Sequence, residues 1–373
     1  MTSIENANCR STMPCIVGAE PTVLSMGTLS KLSKEQEQEA LRIHREAVVV
    51  DCLACPIVNR ETFEQMIQGG VTACNWTVGG KDERDKRGPE HDFRQIIREI
   101  VHWYSLFREN GDKIHPVTTP GDIVEAKKQK KLGVAFGLQF PRPVEYVDDL
   151  EPLYRLGLRV FQLTYNERSL IGDGVAEKRD GGLSAFGEKV VHELNRLGIV
   201  IDLSHCGRKT ALDAIQISKY PCTFSHASAS ALTKSLRNKS DEELKALAEK
   251  GGVVGVTPWG GMIWSKEGQR PTIDDYLNHV DYVVDLVGVD HVGIGMDLGV
   301  GSVDRQTWEN FKRWYPSYVQ SWFTFESFYA EDLNNYIKFP NITRGLVGRG
   351  YSEEEIKKIL GENILQMFER VWR

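Results

Sequence analysis

Three segments of the chain hold residues that could do chemistry together. Ile201-Asp202-Leu203-Ser204-His205 and Phe224-Ser225-His226 each run from apolar residues into a serine and then a histidine. His291-Val292-Gly293-Ile294-Gly295-Met296-Asp297 ends in a carboxylate. Imidazole and carboxylate are common ligands of zinc and similar divalent ions, with water completing the shell. One histidine after an apolar run is most often an ordinary hydrogen-bonded residue. Two in successive runs, each after a serine, and an aspartate in a third favour a shared metal site. His44, His102, His192 and His279 fall on helical patterns and are expected to be structural.

The elements that carry these residues repeat along the chain. Short, continuous, apolar runs occur at Ala47–Asp51, Val71–Trp76, Gly133–Leu138, Val160–Thr164, Ile199–Leu203, Cys222–Ser225, Val253–Thr257 and Val292–Gly295. Continuous runs of this kind are strands buried on both faces, as in parallel sheets. Amphipathic helical patterns separate most of them, including Phe93–Phe107, Phe186–Leu197, Asp241–Glu249 and Ile273–Val287. Strand alternating with helix eight times predicts an α/β fold, a (β/α)8 TIM barrel. Chemistry in such barrels sits at the C-terminal strand ends, so His205, His226 and Asp297 converge on one mouth. The other polar strand-end residues are Asp51, Cys52 and Cys55 after the first run, Gln139 after the third, and Tyr165-Asn166-Glu167-Arg168 after the fourth.

The expected organisation is a flexible N-terminal arm over residues 1–30 and a single barrel domain over 31–373, with a helical C-terminal segment. Ser33 and the Ser352-Glu353-Glu354-Glu355 box read as helix starts. Residues 300–340 are rich in Trp, Phe and Tyr and read as an insertion that covers the mouth or forms a subunit contact, hence an expected homo-oligomer. With 41% hydrophobic and 26% charged residues, the composition is that of a globular protein. The net charge of -6 is spread over interleaved residues, which excludes the basic stripe of a nucleic-acid binder. No run reaches the ~20 apolar residues of a membrane helix, and no basic-then-apolar leader opens the chain. Seven scattered cysteines are expected to be reduced thiols, placing the protein in the cytoplasm. A G-x-G-x-x-G after the first strand is missing, which argues against dinucleotide binding.

The segments Ile201–His205 and Phe224-Ser225-His226-Ala227-Ser228 resemble two metal-ligand motifs of the membrane (renal) dipeptidase family. Leu236-Arg237-Asn238, His291–Asp297, Arg349-Gly350-Tyr351-Ser352 and Gly361-Glu362-Asn363 resemble further motifs of that family, and the likeness runs from about Leu41 to Trp372. The resemblance implies a barrel hydrolase with a two-zinc centre acting on dipeptides. It makes His205 and His226 ligands of the second metal. It gives Asp297 the proton of the attacking water and Arg237 the substrate carboxylate, which its bidentate fork suits.

The likeness breaks at three strand ends. The family's Asp-Gly-His-x-Asp reads Asp51-Cys52-Leu53-Ala54-Cys55 here, so Leu53 replaces a ligand and Cys55 replaces a carboxylate. Cys55 is a candidate thiolate ligand, although an inert buried pair with Cys52 is the simpler expectation. Gln139 stands where the family's bridging glutamate would be, and Tyr165 where it has a histidine. All three losses fall on the first-metal side, which predicts a remodelled site with one Zn2+. Tyr165 is then a candidate oxyanion donor or acid, and Asn166, Arg168 and Gln139 are candidate substrate contacts. His91 could swing in as a ligand, but a surface helix start explains it more simply.

Three readings stay open on these residues. The first is a metal-dependent hydrolase of a small amide or amino-acid-derived substrate carrying a carboxylate. The second is a mononuclear lyase or decarboxylase on the same barrel. The third is a non-catalytic binding barrel.

Overall fold

A computed structural model describes residues 27–79, 93–299, 305–314 and 323–373. Most of the expected N-terminal arm, His91, Cys9 and Cys15 lie outside the described residues. The strands are β1 (Val50–Ala54), β2 (Ala73–Thr77), β3 (Ile114–Val117), β4 (Leu132–Leu138), β5 (Leu158–Gln162), β6 (Val200–Asp202), β7 (Thr223–Ala227), β8 (Val253–Val256) and β9 (Val292–Ile294). All pair in parallel; β1 joins β2 to β9, and β2 also pairs with β4, so eight strands close on themselves. With helices between the strands, this is a (β/α)8 TIM barrel. Nearly every wall strand is buried along its whole length, which is why each reads as an apolar run rather than an alternation.

β3 is the one described strand the apolar pattern does not reveal. β2 occupies one edge of β4 from Gly133 to Gly137, so the other edge is shared. β3 takes its first half, Leu132 to Ala135, and β5 takes Phe136 to Leu138. Ile114-His115-Pro116-Val117 is apolar only at its ends, and its proline is tolerated at a sheet margin.

Local signals fix several helix boundaries. Ser33 Oγ accepts from Gln36 N–H at 3.2 Å while the Gln36 side chain accepts from Ser33 N–H at 2.9 Å, opening the helix Lys34–Glu46. Ser352 and Glu355 form the same reciprocal pair ahead of Glu353–Lys357. The chain then widens through one π-turn into the helix Asn363–Val371. Gly361 sits in that turn because a side chain there would strike the Val48 carbonyl. Ile364, Met367, Phe368 and Val371 close the floor of the barrel against Val50, Ala73, Val160 and Val253. Each such side chain contributes about 1.5–3 kcal/mol on full burial.

Of the two roles expected of the aromatic-rich region, covering the mouth or forming a subunit contact, its described rings pack inward on the chain's own residues. Trp308 and Phe323 are buried, 5.2 Å apart, and both meet Phe328. Phe328 also packs on Trp259, just after β8, and its carbonyl accepts from Gly260 N–H at 2.8 Å. These rings are covered by the chain itself, so they do not support a subunit contact. No described helix is long and apolar enough to cross a membrane.

Candidate metal centre at the barrel mouth

Asp202, the last residue of β6, organises the turn that follows it. Its Oδ1 accepts from Ser204 N–H at 3.0 Å, Ser204 Oγ–H at 2.6 Å and Ser225 N–H at 3.1 Å. Its Oδ2 accepts from Ser225 Oγ–H at 2.5 Å, and Ser204 Oγ accepts from His226 N–H at 3.1 Å. One buried carboxylate thereby ties the ends of β6 and β7 together. His205 and His226 follow the two serines, and their Nε2 atoms face each other at 2.9 Å. Two nitrogens each ~2.0–2.1 Å from a shared ion lie roughly 2.9–3.4 Å apart, so the pair fits one metal.

The Ser225 hydroxyl gives its proton to Asp202, so its oxygen accepts from His226 Nδ1–H at 2.8 Å. His205 Nδ1 lies 2.6 Å from Asn166 Oδ1, an amide oxygen that can only accept. Both Nε2 atoms therefore carry lone pairs, and two lone pairs cannot bond each other across 2.9 Å. Both rings are buried, and desolvation followed by the Arg237 charge holds them well below the ordinary histidine range. Neutral imidazoles with fixed Nδ1 partners are the ligand-competent form.

Asn166 reaches His205 from a strained loop. Its φ is 58°, a left-handed conformation that asparagine tolerates better than most residues. Its carbonyl accepts from Ala176 N–H at 2.7 Å, and Gly174 lies so close to it that no side chain fits there. Arg168, expected to meet substrate, is instead committed to this loop: it forks onto Asp173 at 2.5 and 3.1 Å and is largely exposed. Asn166 likewise serves His205. Tyr165 stacks flat on the His205 ring, centroids 4.0 Å apart, with Phe140 at 4.4 Å on Tyr165. Gln139 is buried; its carbonyl accepts from Gln162 Nε2–H at 2.8 Å and its N–H donates to Thr77 Oγ1 at 3.3 Å.

Asp297 lies on the loop after β9, with φ 48° and its N–H on the Leu53 carbonyl at 3.0 Å. Tyr329 O–H donates to the Asp297 carbonyl at 2.9 Å. Desolvation pushes its carboxyl up to about 6, against the pull of Arg237 and a 3.5 Å hydrogen bond from the Cys55 thiol. Arg237 is buried, donating to the carbonyls of Ser204 and His226, the latter at 3.3 Å. Its charge thus reaches both histidines and Asp297 while its geometry braces the two ligand strands. Cys55 meets Asp297, whereas Cys52 is sealed in the barrel, where burial raises its thiol far above the usual range. None of the five described cysteines forms a disulfide. Among the described residues, no group of three His, Cys, Asp or Glu side chains could hold a metal. The described residues offer one ion two facing nitrogens and, among them, show no second ligand group.

His279 shows the structural alternative. Its Nδ1 accepts from Ala229 N–H at 3.1 Å, and its Nε2 lies 3.1 Å from Thr233 Oγ1, so both nitrogens are used within the fold. The residues that sequence reasoning passed over are Asp202, Ser204 and Ser225, whose signal was the serine before each histidine and the aspartate before the first.

A parallel eight-stranded barrel with imidazoles and a carboxylate at its C-terminal strand ends defines an amidohydrolase-type barrel. Residues 38–320 match the membrane dipeptidase family, peptidase family M19, and the chain belongs to that family, as a metal-dependent, dipeptidase-like hydrolase. It is 27% identical to dipeptidase tcpJ of Claviceps purpurea (strain 20.1) over 319 residues, 83% of this chain and 68% of that protein. It is 27% identical to dipeptidase verJ of Clonostachys rogersoniana over 332 residues, 86% of this chain and 78% of that protein. The solved structure of an amidohydrolase from Pseudomonas aeruginosa superposes with a TM-score of 0.80 at 36% identity, covering 89% of this chain and 99% of that one.

Proposed function

We propose that the chain hydrolyses a small amide or amino-acid-derived substrate bearing a carboxylate, with a single Zn2+ held by His205 and His226. The observation that carries this reading is the pair of Nε2 lone pairs facing across 2.9 Å, each ring locked by its own Nδ1 partner. An ion bound there would lower the pKa of a coordinated water toward ~7. Asp297, with a carboxyl near 6, is matched to taking a proton close to neutrality and returning it to a leaving amine. Arg237 supplies positive charge between the ligand strands and Asp297, where a developing oxyanion or a substrate carboxylate gains most. Tyr165, stacked on His205, holds that ring in plane and roofs this side of the site.

Elemental mass spectrometry of the purified protein and of a His205→Ala/His226→Ala double variant tests the centre. One equivalent of zinc, absent from the variant, is the expected result. Zinc retained by the variant, or two equivalents in the parent, would sink the mononuclear assignment. Incorporation of solvent oxygen into product separates hydrolysis from elimination.

A further inference from the structure

A cavity of about 350 Å³ lies on the far side of the Asp297 loop, within the ~300–1,000 Å³ typical of small-molecule sites. Gly299 and Tyr329 form the wall it shares with the metal centre: Tyr329 O–H donates to the Asp297 carbonyl, and Gly299 N–H donates to the same hydroxyl at 2.7 Å. Phe325 and Phe328 supply an aromatic lining, Arg270, Arg305 and Glu326 supply charges, and Asn334 a neutral amide.

The two arginines of this cavity are not equivalent. Arg305 is exposed and ion-paired with Glu326 at 2.7 Å. Arg270 is half-buried and spends only its Nε–H, on the Tyr329 carbonyl at 3.3 Å. Among the described residues no carboxylate lies within ion-pair distance of its guanidinium. A planar cation with both terminal nitrogens available beside aromatic walls is the chemistry that recognises a carboxylate attached to a flat or apolar body. Arg237 is the less available cation, being buried and already bonded to two backbone carbonyls.

We propose that this cavity is a second substrate subsite, in which Arg270 binds an anionic group on a ring-bearing substrate whose reacting bond lies across the Asp297 loop. The inference rests on the hydrolase reading only for where that bond lies; the subsite itself makes a separate claim about binding. Aromatic rings gain dispersion and edge-to-face contacts from Phe325 and Phe328, and the carboxylate gains a charge-assisted bond that a neutral amide does not.

Fluorine NMR with para-fluorobenzoate as probe, and para-fluorobenzamide as its neutral counterpart, tests the assignment on the intact protein. The parent is expected to bind the benzoate and to bind the amide about tenfold or more weakly. Arg270→Met is expected to abolish that preference, and Arg270→Lys to restore part of it, with unchanged far-UV circular dichroism in both. Failure of the parent to bind the benzoate overturns the proposal, as does full binding by Arg270→Met. Binding kept in Arg270→Met but lost in His205→Ala/His226→Ala would put the carboxylate at the metal centre, ending the subsite while leaving the proposed function intact. Arg270-dependent binding that survives metal removal supports the subsite whatever reaction the centre performs.

Discussion

The mouth of this barrel has two halves that differ in how completely their polar groups are supported. At the ends of β6 and β7, Asp202, Ser204, Ser225 and His226 form one continuous network, and Asn166, on the loop after β5, holds the His205 ring. At the ends of β1 and β4, Leu53 is a buried apolar residue and Gln139 a neutral amide. Asn75 Oδ1 and Gln162 Oε1 on the neighbouring β2 and β5 lack a hydrogen-bond partner. A ligand is only as good as the groups that orient it. The half with a supporting carboxylate and two serines carries the two histidines, and the other half offers an apolar residue and neutral amides.

The largest expected effect comes from Asp297, the proposed base on the loop after β9. Asp297→Asn should lower kcat by roughly 10²–10⁴-fold, the range for a lost general base, with metal content unchanged. In the parent, kcat/KM should rise as pH passes about 6, since only the ionised carboxylate accepts a proton. A parent profile flat through that region would remove Asp297 from the role.

Removing the scaffold rather than a ligand should cost somewhat less. Asp202→Ala leaves Ser225 without its acceptor and frees the His226 ring to turn, so zinc affinity should drop about 10–100-fold by chelator competition. Affinity equal to the parent would show that the network does not orient the ligand.

The other half offers the sharpest way to break the comparison. A Leu53→His/Cys55→Asp/Gln139→Glu variant regains the family's ligand types without their supporting partners. It should still carry one equivalent of metal; a second tightly held ion would mean that ligands alone define the site.

The smallest effect belongs to Asp51, on β1. It accepts from Leu53 N–H, Met296 N–H and Tyr336 O–H, yet burial pushes its carboxyl up to about 7. A carboxyl raised on folding binds its proton more tightly in the native state. Its contribution is complete below the unfolded value of ~3.9 and is lost as pH climbs toward 7. Asp51→Asn should flatten the decline in melting temperature across that window. An equally steep decline in the variant would assign the pH dependence elsewhere.

The barrel and its converging histidines were legible because strand period and strand-end position are short-range properties. Once eight apolar runs imply a closed barrel, His205, His226 and Asp297 must share a mouth whatever the loops do. Ser33 and Ser352 were legible for the same reason, since a cap is decided within four residues. Arg168 was not, because its engagement with Asp173 depends on a turn held by a left-handed Asn166 and a close-packed Gly174. Nor was the burial of Trp308, whose contacts Phe323 and Phe328 tie it to Trp259, a residue well separated in the chain. A ring reads as exposed or buried only once its tertiary partner is known.

The helix that floors the barrel follows all nine described strands. While a ribosome is still making that helix, every wall strand can already have emerged, yet Val50, Ala73, Val160 and Val253 have nothing beneath them. The nascent barrel is then a cup with an apolar, open base, a natural client for a chaperone. A chain stopped before Asn363 should stay in that condition, appearing in the insoluble fraction although every metal-site residue has been synthesised.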